Sequence, residues 1–474
     1  MVDIVKVTKN LACLIFGGVL ARFAFYVVDV LLARRMGQEF FGIFSTALAF
    51  STFLIFITDF GMKWKIVKDG SREPAIISEL LGTVTLLKVG FFLICYPFML
   101  SLLGVLGYNT LSIQFFSIFW IFILPMAIQE SLAAGYQAKQ KMEINAFYQG
   151  ITPVFVLVLI YFFTNPPVEL NSIAWMFVFG VGFVTLIWLI HTWFVVSPKV
   201  NISSVGSIIK GSYLFGLSDL LAIIFFRIDT IMLSIFKDMT AVGAYSVSYK
   251  MLEIVYKIPV IFSVVMMPIL FASSKQNKAL YFKIYETIFR VSLPLGLIIS
   301  ALVYLTSDQI ISVLFGAKFS SSIIILKILS VCFVIKFVSI TSEMILTTLD
   351  KQALKTGFQG IAATINIFLN LFLIPRYGVI GAAIATVISE LLLFIFYFVS
   401  VQKEHHSLKI GKVLFAPVIF MSGLMVGVSY LPGNLIFKSV LLSTVFIGVL
   451  LHQKYFTDEE IRSFLSLTRK IFQK

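Results

Sequence analysis

Cysteine, histidine and charge are all scarce in this chain. The three cysteines (Cys13, Cys95, Cys332) sit in separate apolar runs and form neither a disulfide framework nor a metal-ligand spacing. The four histidines add nothing to that: His405 and His406 are adjacent in a polar stretch, and His191 and His452 stand alone. No metal or other cofactor is expected. Charged residues make up only 13% of the chain against 59% hydrophobic, and the mean hydropathy is +1.00. That balance excludes a water-soluble domain and predicts an all-α polytopic membrane protein. There is no nucleophile–base arrangement, no phosphate-cradling glycine loop and no long polar loop, so neither an enzyme nor an ATP-binding chain is expected.

What is abundant is apolar length. A span needs about 20 mostly apolar residues, and about 14 stretches qualify. They are 10–33, 39–60, 75–103, 110–134, 144–163, 170–196, 208–236, 243–272, 281–305, 321–347, 355–375, 378–401, 412–431 and 435–452. The first holds Arg22 and Asp29 and is not a signal-peptide core. The net charge of +14 does not point to nucleic acid, because the basic residues lie in short loops between apolar runs. Alternate loops are lysine-rich: Lys63, Lys65, Lys68 and Arg72; Lys139 and Lys141; Lys275, Lys278 and Lys283; Lys351 and Lys355. The opposite loops hold little beyond Arg34, Arg35, Lys237, Lys318, Arg376 and Lys438. Both termini are therefore expected on the cytoplasmic side of the cell membrane.

The chain also resembles itself at an offset of about 200 residues. Asp29-Val-Leu-Leu with Gly42-Ile-Phe-Ser mirrors Asp229-Thr-Ile-Met with Gly243-Ala-Tyr-Ser, and Tyr148-Gln-Gly-Ile mirrors Phe358-Gln-Gly-Ile. Each repeat holds an even number of spans, so the two share one orientation. The expected organisation is two pseudo-symmetric six-helix lobes, 1–205 and 206–402, around a central cavity. Two extra spans within 403–452 and an amphipathic tail, 453–474, follow.

Charges within the spans are the candidate functional residues. A cation at the bilayer centre costs roughly 2.5–3.5 kcal/mol. Arg22, Lys88, Arg227, Lys250, Lys257, Arg290, Lys327 and Lys336 together would cost on the order of 24 kcal/mol if all faced lipid. Most must face the protein interior or snorkel. Lys250, Glu253 and Lys257 share one helical face, with Glu253 to Lys257 an i, i+4 pair that leaves Lys250 the freer charge. Arg22, Lys88, Arg227, Lys250, Lys257 and Arg290 are the candidate substrate-binding cations. Asp29, Asp229, Glu253, Glu343 and Glu390 are candidates for ion coupling by H+ or Na+, or for structural charge pairs. Asn366 and Asn370 share a face suited to interhelical hydrogen bonds.

Three stretches carry a family resemblance over roughly the first 400 residues. They are Ala33-Arg-Arg-Met-Gly-Gln-Glu-Phe-Phe-Gly with Asp59-Phe-Gly; Arg227-Ile-Asp-Thr-Ile-Met-Leu with Val242-Gly-Ala-Tyr-Ser; and Asn366 to Glu390. Together they resemble the polysaccharide transporter family, the O-antigen or lipid-linked oligosaccharide flippases of the multidrug/oligosaccharidyl-lipid/polysaccharide (MOP) exporter superfamily. The resemblance implies a two-lobe transporter that moves a polyprenyl-linked oligosaccharide across the membrane by alternating access, with membrane lipid around it. Glycan polymerases or glycosyltransferases are then its expected partners. The chemistry agrees: cations in a low-dielectric cavity suit a phosphate or pyrophosphate, and Tyr, Asn and Ser suit sugars. Two neighbouring readings stand beside it, an ion-coupled multidrug antiporter of the same superfamily and a flippase of the peptidoglycan precursor.

Overall fold

The computed structural model describes residues 4–164, 169–276, 278–404, 414–431, 434–453 and 455. Among them there are helices and no strand. The expected amphipathic tail and the adjacent histidines His405 and His406 lie outside the described residues.

Fifteen α-helices follow one another: α1 (Ile4–Asp59), α2 (Met62–Arg72), α3 (Ile77–Val105), α4 (Thr110–Phe119), α5 (Ile123–Ala138), α6 (Met142–Phe163), α7 (Leu170–Val196), α8 (Val205–Phe236), α9 (Met239–Gln276), α10 (Lys278–Leu314), α11 (Ser322–Leu329), α12 (Val331–Thr348), α13 (Gln352–Glu404), α14 (Ala416–Tyr430) and α15 (Leu435–His452). Nine helical stretches among the described residues are long and apolar enough to cross a membrane, and their outward faces are rich in Phe, Leu, Ile and Val. This is an all-α, multi-pass membrane protein.

The chain divides into two compact units, Met1–Gly243 and Ala244–Lys474. Helix α8 falls in the first unit because it packs on α1, α2 and α3.

Two pairs of expected spans are continuous. The first and second join in α1 across Gly37, whose φ of 80° and ψ of −177° bend the rod without a loop. The eleventh and twelfth join in α13 across Gly378, at φ 58° and ψ −132°. The fourth span is broken: α4 and α5 are linked by a 3-10 turn at Trp120–Phe122. Helix α2 is not among the expected spans, because it is polar overall. It forms because Met62, Ile66 and Gly70, at i, i+4 and i+8, give it one buried face, which packs with Leu81 and Val84 of α3, Ala134 and Ala138 of α5 and Ile208 of α8.

Candidate functional site

The first unit buries a cluster of five charges. Its base is the turn Asp59-Phe60-Gly61 between α1 and α2. Phe60 and Gly61 both take positive φ (43° and 79°), which swings the chain from one helix directly into the next. The turn leaves the Asp59 carboxylate at the start of α2, where Oδ1 accepts from the Lys63 backbone N–H at 3.2 Å. That is an anion placed at a positive helix end.

Lys88 of α3 has 0% exposure, and its Nζ lies 2.7 Å from Asp59 Oδ1. It also donates to the Ala127 carbonyl of α5 at 2.9 Å. A cation this deep survives only with such partners. Glu130 of α5 stands between two ammonium groups, 3.9 Å from Lys88 Nζ and 4.0 Å from Lys63 Nζ. Asp219 of α8 lies 3.5 Å from Lys63 Nζ and accepts from Trp64 Nε1 at 3.4 Å. Burial pushes the Lys63 ammonium toward its neutral form, but Glu130, Asp59 and Asp219 outweigh it and hold Lys63 above its ordinary pKa.

The second unit holds several lysine–carboxylate pairs. Glu390 of α13 is 1% exposed, lies 3.2 Å from Lys336 Nζ of α12, and accepts from the Tyr256 hydroxyl at 3.4 Å. The Lys336 ammonium also sits 5.0 Å over the Tyr256 ring. Glu343 pairs with Lys355 at 2.9 Å, Lys327 with Asp308 at 3.1 Å, and Lys351 with Glu404. The expected Asn366–Asn370 face is buried, and within α13 Asn370 Nδ2 donates to Asn366 Oδ1 at 3.0 Å.

The other charges singled out in the sequence are distributed as follows. Arg22 is exposed and, among the described residues, makes no ion pair or hydrogen bond; Asp29, about two turns further on, is buried at 6% exposure. Arg227 is half-buried and Asp229 is 3% exposed. Lys250 lies 3.8 Å from Glu253, so the i, i+3 pair tempers the very charge that the sequence left freer. Lys257 is exposed. Arg290 donates to the Tyr455 carbonyl at 3.1 Å.

Sequence reasoning missed Asp59, Glu130 and Asp219 as members of a cluster, and the capping role of Arg35. Lys88 carried the signal for the first three, since a mid-span cation demands acids on neighbouring helices. Arg35, placed in a loop from sequence, instead caps the C-terminus of α6, donating to the carbonyls of Ile160 at 3.0 Å and Thr164 at 2.9 Å.

This fold has known counterparts. Among solved structures, the chain is similar to a lipid II flippase, MurJ, in an inward closed conformation (TM-score 0.66, 14% identity, 94% of this chain and 99% of that one). It is also similar to an inward-facing multidrug resistance MATE transporter of the MOP superfamily (TM-score 0.67, 11% identity, 82% and 97%). In sequence it is 22% identical to the uncharacterized membrane protein MJ1068 of Methanocaldococcus jannaschii, over 90% of each chain. It is 24% identical to the probable flippase AglR of Haloferax volcanii, over 77% of this chain and 76% of AglR. Residues 7–274 match the family described as polysaccharide biosynthesis protein. With more than half of its length matched, the chain belongs to the polysaccharide biosynthesis protein family.

Proposed function

We propose that this protein translocates a polyprenyl-phosphate- or pyrophosphate-linked oligosaccharide across the cell membrane, by alternating access, for glycan assembly. The observation that carries this reading is membership of a polysaccharide biosynthesis family together with likeness to a flippase over three quarters of the chain. The side chains suit the cargo. Arg22 and Lys257 are exposed and Arg227 and Lys250 partly buried in apolar helices, and these four are the proposed contacts for the phosphate. Lys88 and Arg290 are engaged within the protein, and we assign them to holding helices together. Asp29, Asp229, Glu253, Glu343 and Glu390 are the proposed acids of charge pairing or ion coupling. The termini face the cytoplasm on the loop-charge argument. In this reading the protein carries out no bond chemistry and serves glycosyltransferases or a polymerase that act before or after it.

The test is surface-glycan export in a deletion strain complemented with wild type, Arg22→Lys or Arg22→Ala. Loss of one charge-assisted contact, about 1.5–3 kcal/mol, lowers export roughly 10- to 100-fold in Arg22→Ala, with lipid-linked glycan accumulating on the cytoplasmic leaflet. Arg22→Lys retains most export. Normal glycan without the gene overturns the reading. A changed drug sensitivity in that strain then favours the multidrug antiporter, which the MATE-like fold also accommodates. Accumulated peptidoglycan precursor instead favours the neighbouring flippase class.

A further inference from the structure

The charge cluster of the first unit does not cancel. Asp59, Glu130 and Asp219 supply three carboxylates, while Lys63 and Lys88 supply two ammonium groups. Asp59 is well held, by Lys88 and by the start of α2. Asp219 has Lys63 and the Trp64 indole. Glu130 is the odd acid: its Oε2 is buried and has no hydrogen-bond partner among the described residues. A buried carboxylate oxygen without a donor is costly unless it carries a proton of its own.

Among the described residues, four charged groups surround Glu130. The charged groups that face Glu130 are Lys88 from α3, Lys63 from α2, Asp59 from α1 and Asp219 from α8. The preceding residue, Gln129, bonds Thr152 of α6 and Thr185 of α7. The cluster also grades from wet to dry. The side chains of Lys63 and Asp219 are 31% and 34% exposed, Glu130 is 27%, and Asp59 and Lys88 are 4% and 0%.

We propose that this cluster is a single-proton site, that Glu130 takes the proton at Oε2, and that its uptake and release accompany the transport cycle. On protonation one O–H bond forms and the cluster passes from one net negative charge to none. The proton arrives from water at the Lys63–Asp219 rim. A sodium ion fits less well, because two ammonium nitrogens already lie within 4.0 Å of the same carboxylate. The link to transport rests on the flippase reading; the proton site itself does not.

The test is infrared difference spectroscopy of the full chain in lipid nanodiscs, titrated between pH 5 and pH 9 without substrate. Wild type shows a protonated-carboxyl band that disappears on alkalinisation, and Glu130→Gln lacks it. Lys63→Gln removes a counter-charge at the rim and moves the midpoint up by roughly one pH unit, a tenfold change in proton affinity. Absence of the band in wild type, its persistence in Glu130→Gln, or an unmoved midpoint in Lys63→Gln overturns the site. So does a band that responds to sodium at fixed pH. Lys63→Gln keeps Glu130 in place, so the site is tested even where Glu130→Gln fails to fold. In proteoliposomes, glycan translocation by wild type varies with pH and that by Glu130→Gln does not; a flat wild-type profile overturns the coupling. A normal titration in a protein that moves no glycan supports the site and overturns the flippase reading instead.

Discussion

The two units bury charge in different ways. In the second, Lys336 meets Glu390, Lys355 meets Glu343, Lys327 meets Asp308 and Lys351 meets Glu404, and Lys250 meets Glu253 within α9. In the first, Asp59, Lys63, Lys88, Glu130 and Asp219 share partners and leave one acid in excess. A discrete pair fixes two helices to each other and holds no charge in reserve. A shared, unbalanced cluster can gain or lose a proton while its members remain in place. Similar residue types thus serve as fasteners in one unit and as a titratable element in the other.

Breaking the floor of the cluster has the largest expected effect. Lys88→Met leaves Asp59 and Glu130 buried without their main cation, and costs about 3–5 kcal/mol. Thermal unfolding in detergent reports the loss, and Lys88→Met with Asp59→Asn recovers much of it. An unchanged melting temperature in the single variant contradicts the burial.

The matching break in the second unit is Glu390→Gln. It strands Lys336 but leaves the Tyr256 ring beneath the ammonium, so the loss is nearer the lower end, about 3 kcal/mol. The double variant Lys336→Met, Glu390→Leu removes both charges together, so it restores stability and leaves the titration of the first unit unchanged. If the double variant also abolishes the pH response of the first unit, the division between the units fails.

A smaller effect tests the internal repeat. A Cβ at Gly42 would overlap the Met239 carbonyl oxygen, and one at Gly243 would overlap the Gln38 carbonyl oxygen. The contact is reciprocal, because both glycines and both carbonyls are related by the same shift in sequence. Gly42→Ala and Gly243→Ala are each expected to cost about 1–3 kcal/mol, and by similar amounts. Markedly unequal costs would argue against a reciprocal contact.

The smallest expected effect is the pH response of Lys63. Its folded pKa is raised, so its pairing stabilises the fold fully below the unfolded lysine value and is lost only as pH rises through the folded one. Thermal unfolding of the wild type is therefore flat from pH 6 to pH 9 as far as Lys63 contributes.

Much of this architecture was legible in the sequence because hydrocarbon imposes a simple rule on length and polarity. The spans 170–196 and 435–452 coincide with α7 and α15. What escaped were features decided by other forces. Helix α2 is held by a narrow apolar face, not by overall hydropathy. The continuity of α1 and α13 depends on single glycine backbone angles. The charges illustrate the same limit. That Lys88 needed a partner was evident from its depth, but that Asp59 provides it depends on how α1 and α3 pack. That Arg35 closes α6 depends on a contact between residues more than 120 positions apart.

The most direct test of the account is translocation by the purified protein. Liposomes carrying a polyprenyl-pyrophosphate-linked oligosaccharide are loaded with the protein, and the sugar accessible to an impermeant glycosidase outside is followed. The account predicts that wild type makes the inner-leaflet glycan accessible, and that Arg22→Ala does so far more slowly at equal protein content. Accessibility that never exceeds that of protein-free liposomes would contradict it.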